Sequence, residues 1–476
     1  MVREGMNIPH HWECKTLVEC TSNKNISYGI VQPGQHDDNG IGIIRVNNFE
    51  SGGLSTSDVL KVSPSIEAKF AKTRLNGGEV LLTLVGSTGQ SAVVPSELKG
   101  WNVPRAVAVI RPSEDVSAEW INICLQSAHT KHFLDARANT TVQKTLNLKD
   151  VKDIPIPLPP VAERQRLEDI AVGLENKITL NRQINQTLEQ MAQTLFKSWF
   201  VDFDPVIDNA LDAGNPIPDE LQHRAEARKA VRESEGFKPL PDDVRQLFPD
   251  EFEESELGWV PKGWGSKNLT MLVDTISKTY PLKTVDKVIF LNTGDIEDGR
   301  FLHADFSKVA GLPGQAKKSI QCNDILFSEI RPKNKRFAYV NFEAEHHVVS
   351  TKLMVLRAKQ DVHPLFAYFL LTLEKTTNEL QRIAELRSGT FPQITYTELG
   401  LISFSLPNDT KLIDAFVGLY LQPFYEKSFK SRDENKTLTK LRDTLLPKLI
   451  SGELRLDDIE LAVEQEAVSA EQQNER

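Results

Sequence analysis

The sequence has little cysteine and no long apolar run. Its 476 residues include four scattered cysteines, Cys14, Cys20, Cys124 and Cys322. So few thiols argue against a disulfide framework and are typical of a reducing compartment, so we expect a cytoplasmic protein. No apolar run approaches the roughly 18 residues of a membrane span, and the first residues lack the apolar core of a secretory signal. We therefore expect no membrane association.

Motifs that carry chemistry are also lacking. No GxxxxGK[ST] stretch is present to hold phosphates, and no glycine-rich fingerprint follows a predicted strand. FDPV (203–206) and PDEFEE (249–254) only partly match a methyltransferase loop and a nuclease acidic pair. Metal-ligand spacings of the CxxC or HxxxH kind are missing as well. The sequence predicts a non-catalytic chain without a metal or cofactor of its own.

The net charge of −10 is concentrated in the middle of the chain and in its tail. Residues 201–260 hold 16 Asp and Glu against 6 Lys and Arg. Residues 1–155 hold 16 against 16, and residues 261–410 hold 16 against 19. The two large blocks are therefore neutral to slightly basic, which leaves room for a local basic face on either of them.

The chain contains an internal repeat. Six segments of the first half recur in the same order in the second, at offsets of 245 to 252 residues. The matched segments are HHWECKTLVE with GWGSKNLTML, NNFESGG with GDIEDGR, GEVLLT with NDILFS, VPRAVAVIRP with VSTKLMVLRA, TVQKTLN with FPQITYT, and LEDIAVGL with LIDAFVGL. Chance explains one such pair but not an ordered series, so two related domains are predicted.

Each half combines strands and helices. EVLLTLV, AVAVIRP, DILFSEI and KLMVLRA are short, rich in β-branched residues and bounded by turn residues, which predicts strands. The stretches that begin at AEWINICLQ and HPLFAYFLL have helical spacing. The predicted fold class is α+β, with two tandem α/β domains, each followed by a long helix.

Those long helices begin after proline-rich entries. Pro155, Pro157, Pro159 and Pro160 favour an extended segment, and apolar residues then recur every three or four positions up to residue 200. A second copy covers about 411–450, where Pro423 predicts a kink or a break. We expect the two helices to pair as an antiparallel coiled coil between the domains. The alternative is two unrelated surface helices.

The acidic, proline-rich segment between the halves is predicted to be a linker that carries one short helix, PDELQHRAEARKAVRES. The predicted organisation is domain 1 (1–155), first long helix (156–200), linker (201–256), domain 2 (257–408), second long helix (409–450) and an acidic, flexible tail (451–476).

A short α/β domain that ends in IPIPLPPVAERQRL, a long helix, the phrase LFKSWFVDFDPV and a second such unit together resemble the DNA specificity subunit of type I restriction–modification enzymes. The resemblance covers nearly the whole chain. It implies two target-recognition domains, each of which binds one half of a bipartite site in double-stranded DNA. The long acidic linker and Pro423 depart from the simplest pattern of that family.

The resemblance also implies partners. Such a subunit has no catalytic activity. It binds two modification subunits, which methylate adenine with S-adenosylmethionine, and through them two ATP- and Mg-dependent restriction subunits. A protein-interaction scaffold with two paired domains and no role on DNA is the alternative, and a self-sufficient methyltransferase is disfavoured by the missing motifs.

Candidate DNA contacts come from comparing the two halves. Between matched strands, the first half has GSTGQ (86–90) and the second has RPKNKR (331–336). Arginine suits phosphates or guanine, and glutamine suits adenine. Solvated hairpin tips are the alternative for both. The candidates here are Ser87, Thr88, Gln90, Arg331, Lys333, Asn334, Lys335 and Arg336.

Two further sets are weaker candidates. The first lies before the proline run in one half, and at the matched place in the other: Thr141, Gln143, Lys144, Thr390 and Gln393, with Gln143 opposite Gln393. These could equally be turn residues. The second is Arg105 and Lys352, matched at an offset of 247 residues.

The ends of the long helices are rich in apolar residues. We expect part of this set to dock modification subunits, with core packing as the alternative. The residues are Leu195, Phe196, Trp199, Phe200, Leu445, Leu446, Leu449 and Ile450.

Overall fold

The computed structural model describes residues 9–50, 53–137 and 145–455. The chain divides into two units. Unit 1 comprises Met1–Ile184 with Lys430–Arg476, and unit 2 comprises Asn185–Phe429. Each long helix thus contributes one part to each unit. In the described part of the chain, no helix is both long and apolar enough to cross a membrane.

Unit 1 is built around a four-stranded antiparallel sheet, the main sheet of this unit. Its strands lie in the order Thr21–Tyr28, Val107–Pro112, Val80–Thr83, Ser91–Val93. Side chains alternate between two cores because successive residues of a strand point to opposite faces. Val80 and Leu82 enter the core that contains Trp120, whereas Leu81 enters the core that contains Val103.

Unit 2 repeats this sheet. Its main sheet has the strand order Val273–Ile276, Leu353–Ala358, Ile325–Ser328, Phe337–Tyr339. Ile325 and Phe327 again face one core, and Leu326 faces another. The same strand order and the same alternation confirm the predicted duplication and the α+β class.

The remaining elements of unit 1 surround its main sheet. Further strands are Glu13–Thr16, Ile41–Ile43, Phe49–Glu50, Gly53–Leu54, Leu60–Val62 and Pro155–Leu158. Its helices before the first long helix are Pro64–Glu67, Ala118–Gln126, Ala128–Asp135 and Leu148–Lys152. Ser117 starts the helix Ala118–Gln126 by accepting the Trp120 N–H at its hydroxyl, which supplies a partner for an otherwise unpaired donor.

Unit 2 adds a second four-stranded sheet, in the order Phe306–Lys308, Lys287–Leu291, His347–Ser350, Ala316–Ser319. Its other strands are Phe252–Ser255, Gly258–Pro261, Trp264–Asn268, Ile296–Glu297, Arg300–Phe301 and Ser403–Pro407. Its helices are Asp204–Ala213, Gln222–Arg232, Asp242–Arg245, Leu269–Leu272, Pro364–Thr372, Glu374–Arg387, Tyr396–Leu399 and Lys411–Phe416.

The proline run has a defined role in unit 1. Pro155–Leu158 pairs antiparallel with Glu13–Thr16 as a two-stranded sheet, with Pro157 opposite Cys14. Prolines are tolerated in such an edge position because one side of the strand needs no donors. The first long helix, Val161–Phe200, starts directly after Pro160. In unit 2 the matching pair is Trp264–Asn268 with Ser403–Pro407.

Within unit 1, the two long helices run antiparallel. Arg442 makes an ion pair with Glu175, whereas Glu434, nearer the start of its helix, accepts the side-chain amide of Asn181 at 2.8 Å. The Asn181 amide also donates to Asn435 at 3.0 Å, and Asn181 is buried. A buried asparagine that is hydrogen-bonded across two paired helices favours one register over others.

The second long helix contains a local π turn rather than a break. It consists of Lys411–Phe416, the π segment Val417–Leu421 and Gln422–Ile450. The Gln422 N–H donates to the carbonyl of Val417, five residues back. This wider turn immediately precedes Pro423, whose ring would clash with the carbonyl four residues before it in a regular helix.

The segment 201–256 is folded, which corrects the prediction of a linker. Helices Asp204–Ala213 and Gln222–Arg232 are joined by a ladder of three ion pairs. The ladder pairs Asp204 with Arg224, Asp208 with Arg228, and Asp212 with Arg232. Both partners advance by one helical turn at each rung, so the two helices lie parallel. These three pairs neutralise only part of the acidic charge of the segment, which folds while it keeps a net negative charge. The predicted tail lies mostly outside the described residues, which end at 455.

Candidate nucleic-acid interface

In unit 1, GSTGQ forms a tight hairpin tip, here called tip 1 (residues 86–90). The Thr83 N–H donates to the carbonyl of Gln90 at 2.9 Å, and the Thr83 hydroxyl accepts the Gln90 N–H at 3.0 Å. Gly86 and Gly89 have φ of +79° and +85°, where a side chain would be strained. Ser87 and Gln90 are exposed, and Thr88 is half-buried. Tip 1 thus presents small polar groups on a fixed backbone.

In unit 2, RPKNKR forms tip 2 (residues 331–336) on matched strands. Pro332–Asn334 is a short 3-10 turn, and Arg331 and Lys335 on either side of it have left-handed backbones. The Lys333 N–H donates to the side-chain carbonyl of Gln381, which ties the tip to the helix Glu374–Arg387. Tip 2 is therefore held by hydrogen bonds, as tip 1 is, but has a different backbone conformation.

The four cations of tip 2 are not equivalent. Arg331 and Lys333 are exposed and make no ion pair with any residue that the structure describes. Lys335 lies 4.0 Å from the carboxylate of Asp298. Arg336 lies 3.5 Å from that of Glu297 and donates to the carbonyl of Ile296. Two cations are thus free to meet phosphates or bases, and two support the loop. Asn334, between them, is also exposed.

The segment before the proline run lies beside the tip in each unit. An antiparallel bridge joins Val85 to Thr145 in unit 1, and another joins Ile330 to Gln393 in unit 2. The counterpart of Gln393 is therefore Thr145, so the predicted match of Gln143 with Gln393 is wrong by two residues. Thr141, Gln143 and Lys144 lie outside the described residues.

In unit 2, the segment that lies beside tip 2 exposes Thr390 and Gln393. Phe391 lies between them with 50% of its surface exposed. Sequence comparison alone did not single out Phe391. The signal was an aromatic residue before Pro392 in a stretch that otherwise reads as a polar turn.

Arg105 and Lys352 are both exposed near the bases of the tips. Their predicted match is wrong by one residue. The Leu84 N–H donates to the carbonyl of Ala106, and the matching Glu329 N–H donates to that of Lys352. Lys352 therefore corresponds to Ala106. Both cations still lie beside their tips, and their contact with DNA remains a prediction.

A carboxylate–arginine pair supports the hairpin in each unit, and sequence analysis missed it. In unit 2, Arg357 donates to both oxygens of buried Asp324 at 2.7 and 3.0 Å. In unit 1, Arg111 lies 3.6 Å from buried Glu79. The signal was an acidic residue at the start of one matched strand and an arginine at the end of the other. These pairs fix the strands that carry the tips.

The apolar helix-end residues are largely part of the protein's own cores. Phe196, Trp199 and Phe200 are buried in unit 2, where Trp199 lies 5.3 Å from Phe416 between ring centres. Removing such a side chain from a core costs roughly 3–5 kcal/mol, so these rings are poor docking groups.

The rest of this set behaves in the same way. Leu449 and Ile450 are buried in unit 1, whereas Leu195, Leu445 and Leu446 are half-buried. Leu445 and Leu449 pack into the core that contains Trp120. Burial favours the core-packing alternative over docking for this set, except at half-buried Leu446, where docking stays a prediction.

Comparison with known proteins agrees with this architecture. The HindI specificity subunit of Haemophilus influenzae is 38% identical over 186 residues, which cover 38% of this chain and 39% of that protein. The chain thus spans about two fifths of that relative's length. The MjaIX specificity subunit of Methanocaldococcus jannaschii is 23% identical over 80% of this chain and 79% of its own length.

Among solved structures, the type I restriction–modification S subunit from M. genitalium superposes with a TM-score of 0.53 at 12% identity. The match covers 93% of this chain and 98% of that one, and it supports the fold. The family model described as type I restriction modification DNA specificity domain matches residues 20–190 and again 261–422. These two matches cover more than half of the sequence, and the chain therefore belongs to this family.

Proposed function

We propose that this chain is the DNA sequence-recognition subunit of a type I restriction–modification complex. The observation that carries the proposal is the pair of equivalent main sheets that hold different tips. A shared framework with divergent loops is what two recognition domains need in order to bind different half-sites. Each unit would bind one half of a bipartite site in double-stranded DNA.

The two tips suit different contacts. Arg331 and Lys333 carry free positive charge, which attracts phosphates, and arginine can also bind guanine through two hydrogen bonds. Gln90 on tip 1 carries a carboxamide that can bind adenine in the same bidentate manner. The exposed cation Arg105 lies beside tip 1 and suits a phosphate.

The enzymatic steps would lie in partner subunits in the cytoplasm. In this proposal two modification subunits methylate adenine N6 with S-adenosylmethionine, and two restriction subunits use ATP and Mg. Ile170 and Leu180, which are exposed on the first long helix, are candidates for docking these partners. A scaffold with no role on DNA is not favoured, because the matching family model is a DNA specificity domain.

The test is co-expression of the full chain with the modification subunit encoded beside it, in a host free of other methylases. N6-methyladenine would then be mapped across that host's genome. The expected result is one two-part motif with a fixed gap of unspecified bases. Methylation that is absent or independent of sequence, despite a stable complex, would refute the proposal.

An exchange of tips tests whether each unit binds its own half-site. Replacing residues 331–336 with GSTGQ should change one half of the motif and leave the other intact. The matched control replaces Lys287 and Lys308, two exposed cations on the second sheet of unit 2, with serine. If the control altered the motif as strongly as the exchange, tip 2 would not be a recognition element.

A further inference from the structure

Phe391 is a large apolar side chain in a polar and cationic neighbourhood. Half of its surface is exposed. Exposed Thr390 and Gln393 lie close to it in the chain, and the bridge from Gln393 to Ile330 brings in Arg331. A single exposed ring is ordinary on a protein surface, but this one lies beside the free charges of tip 2.

The backbone around Phe391 is held on both sides. The Phe391 N–H donates to the hydroxyl of Ser388 at 3.1 Å. The Arg331 N–H donates to the carbonyl of Pro392 at 3.1 Å, and Pro392 is buried. The Ile394 N–H donates to the carbonyl of Glu329 at 2.8 Å. The ring is therefore presented from a loop that needs little further ordering to bind a partner.

B-form DNA offers few apolar groups to such a ring. On the base edges of the major groove, the C5-methyl group of thymine is the apolar feature, and phenylalanine is a suitable contact for it. The flat faces of the bases are stacked on one another, and exposing one costs a few kcal/mol. A ring beside phosphate-binding cations therefore meets a thymine methyl more readily than a base face.

We propose that Phe391 contacts the C5-methyl group of one thymine in the half-site bound by unit 2. This inference rests on the proposed function.

The experiment uses the full chain in complex with its modification subunits and a duplex that carries the mapped motif. Each thymine in the unit 2 half-site is replaced, one at a time, by deoxyuridine, which lacks only the C5-methyl group. One replacement should weaken binding of the unchanged complex about fourfold, as expected for the loss of one buried methyl contact. With Phe391→Ala, that replacement should have no further effect.

Phe306→Ala is the matched control. Phe306 is 56% exposed on the second sheet of unit 2, away from tip 2 in the chain. This variant should show the same deoxyuridine profile as the unchanged protein. Phe391→Leu, which keeps an apolar side chain, should retain part of the preference for thymine.

The outcomes distinguish a failure of the thymine contact from a failure of the proposed function. If the unchanged complex showed no preference for its methylated motif, the proposed function itself would fail. If it preferred the motif but Phe391→Ala removed no single deoxyuridine effect, the thymine contact would be overturned. A uniform loss of affinity at every position in the Phe391→Ala complex would also overturn it, because that result indicates a contact without base preference.

Discussion

Removing the carboxylate of Asp208 should destabilise unit 2 much more than breaking the outer rung between Asp212 and Arg232. In the middle rung, Arg228 donates from Nε to Asp208 at 3.0 Å, and the two side chains are only 15% and 13% exposed. The Arg228 guanidinium also lies 5.6 Å from the centre of the Phe237 ring. At the outer rung, the Asp212 side chain is 43% exposed.

The expected magnitudes follow from burial. Asp208→Ala leaves a largely buried guanidinium without its counter-charge, which costs about 3 kcal/mol of unfolding free energy. Arg232→Ala breaks a pair that water already screens, and should cost at most about 1 kcal/mol. The double variant Asp208→Ala with Arg228→Met also removes the unpaired guanidinium. It should therefore lose less unfolding free energy than Asp208→Ala alone.

Urea unfolding of the full chain measures these differences, and hydrogen exchange of peptides from 204–213 and 222–232 localises them. With a slope of about 3 kcal/mol per molar urea, Asp208→Ala should lower the midpoint by about 1 M. If the double variant were as unstable as Asp208→Ala, the unpaired guanidinium of Arg228 would not be the cause of the instability. If neither variant changed exchange in these helices, the segment would not be a folded part of unit 2.

Three other predictions can be checked on the purified chain. Burial raises the pKa of the Cys20 thiol to about 11, so this thiol is protonated and unreactive at pH 8. Iodoacetamide should therefore modify half-buried Cys322 in the native protein but not Cys20, which mass spectrometry of peptides can measure. Hydrogen bonds from two arginines hold the pKa of Asp212 below its ordinary value of 3.8. The resulting stability is complete above pH 3.8 and is lost as the pH falls towards the lower, folded-state pKa, so Asp212→Asn should flatten the acid limb of a circular-dichroism titration. Asn181→Ala should lower the urea midpoint by an amount equivalent to about 1–2 kcal/mol, because half-buried Asn435 then loses its hydrogen-bond donor. Changing Asn181 and Asn435 together to leucine should reduce that loss, because neither amide then remains.

The duplicated fold could be predicted from the sequence because strand and helix patterns recur in order. The register of the segment before the proline run could not. The matched segments already gave the offsets of 245 at Val80 and 246 at Val107, but the offset at Thr145 is 248 where the comparison of letters gave 250. Backbone pairing locates this difference, and Gln143 was given the wrong partner for that reason. Arg105 was paired one residue out of step with its own segment match, which aligns Ala106 with Lys352.

The folded segment after the first long helix was misjudged for a different reason. Prolines and acidic residues in excess are typical of linkers, and composition carries no information on which charges are paired. A spacing signal was nevertheless present. Aspartates at 204, 208 and 212 and arginines at 224, 228 and 232 share a four-residue period, which predicts two facing helices.

The apolar ends of the long helices show a third limit of prediction from sequence. An apolar stripe predicts that something covers it but does not say what. For Trp199 and Phe200 the cover is the core of unit 2 itself. For Phe391 the sequence offered only an aromatic residue in a turn, and its exposure depends on how the loop is fastened to Glu329 and Arg331.

The separation between framework and tips has a consequence for how such a protein can change over generations. Tip 2 is held mainly by backbone hydrogen bonds and by the paired strands behind it, and its free cations touch no core. Substitutions at such exposed positions usually alter stability by less than about 0.5 kcal/mol. New sequences at Lys333 can therefore be sampled without passing through unfolded intermediates. Positions with a left-handed backbone are more restricted, and each tip has two of them: Arg331 and Lys335 in tip 2, and Gly86 and Gly89 in tip 1.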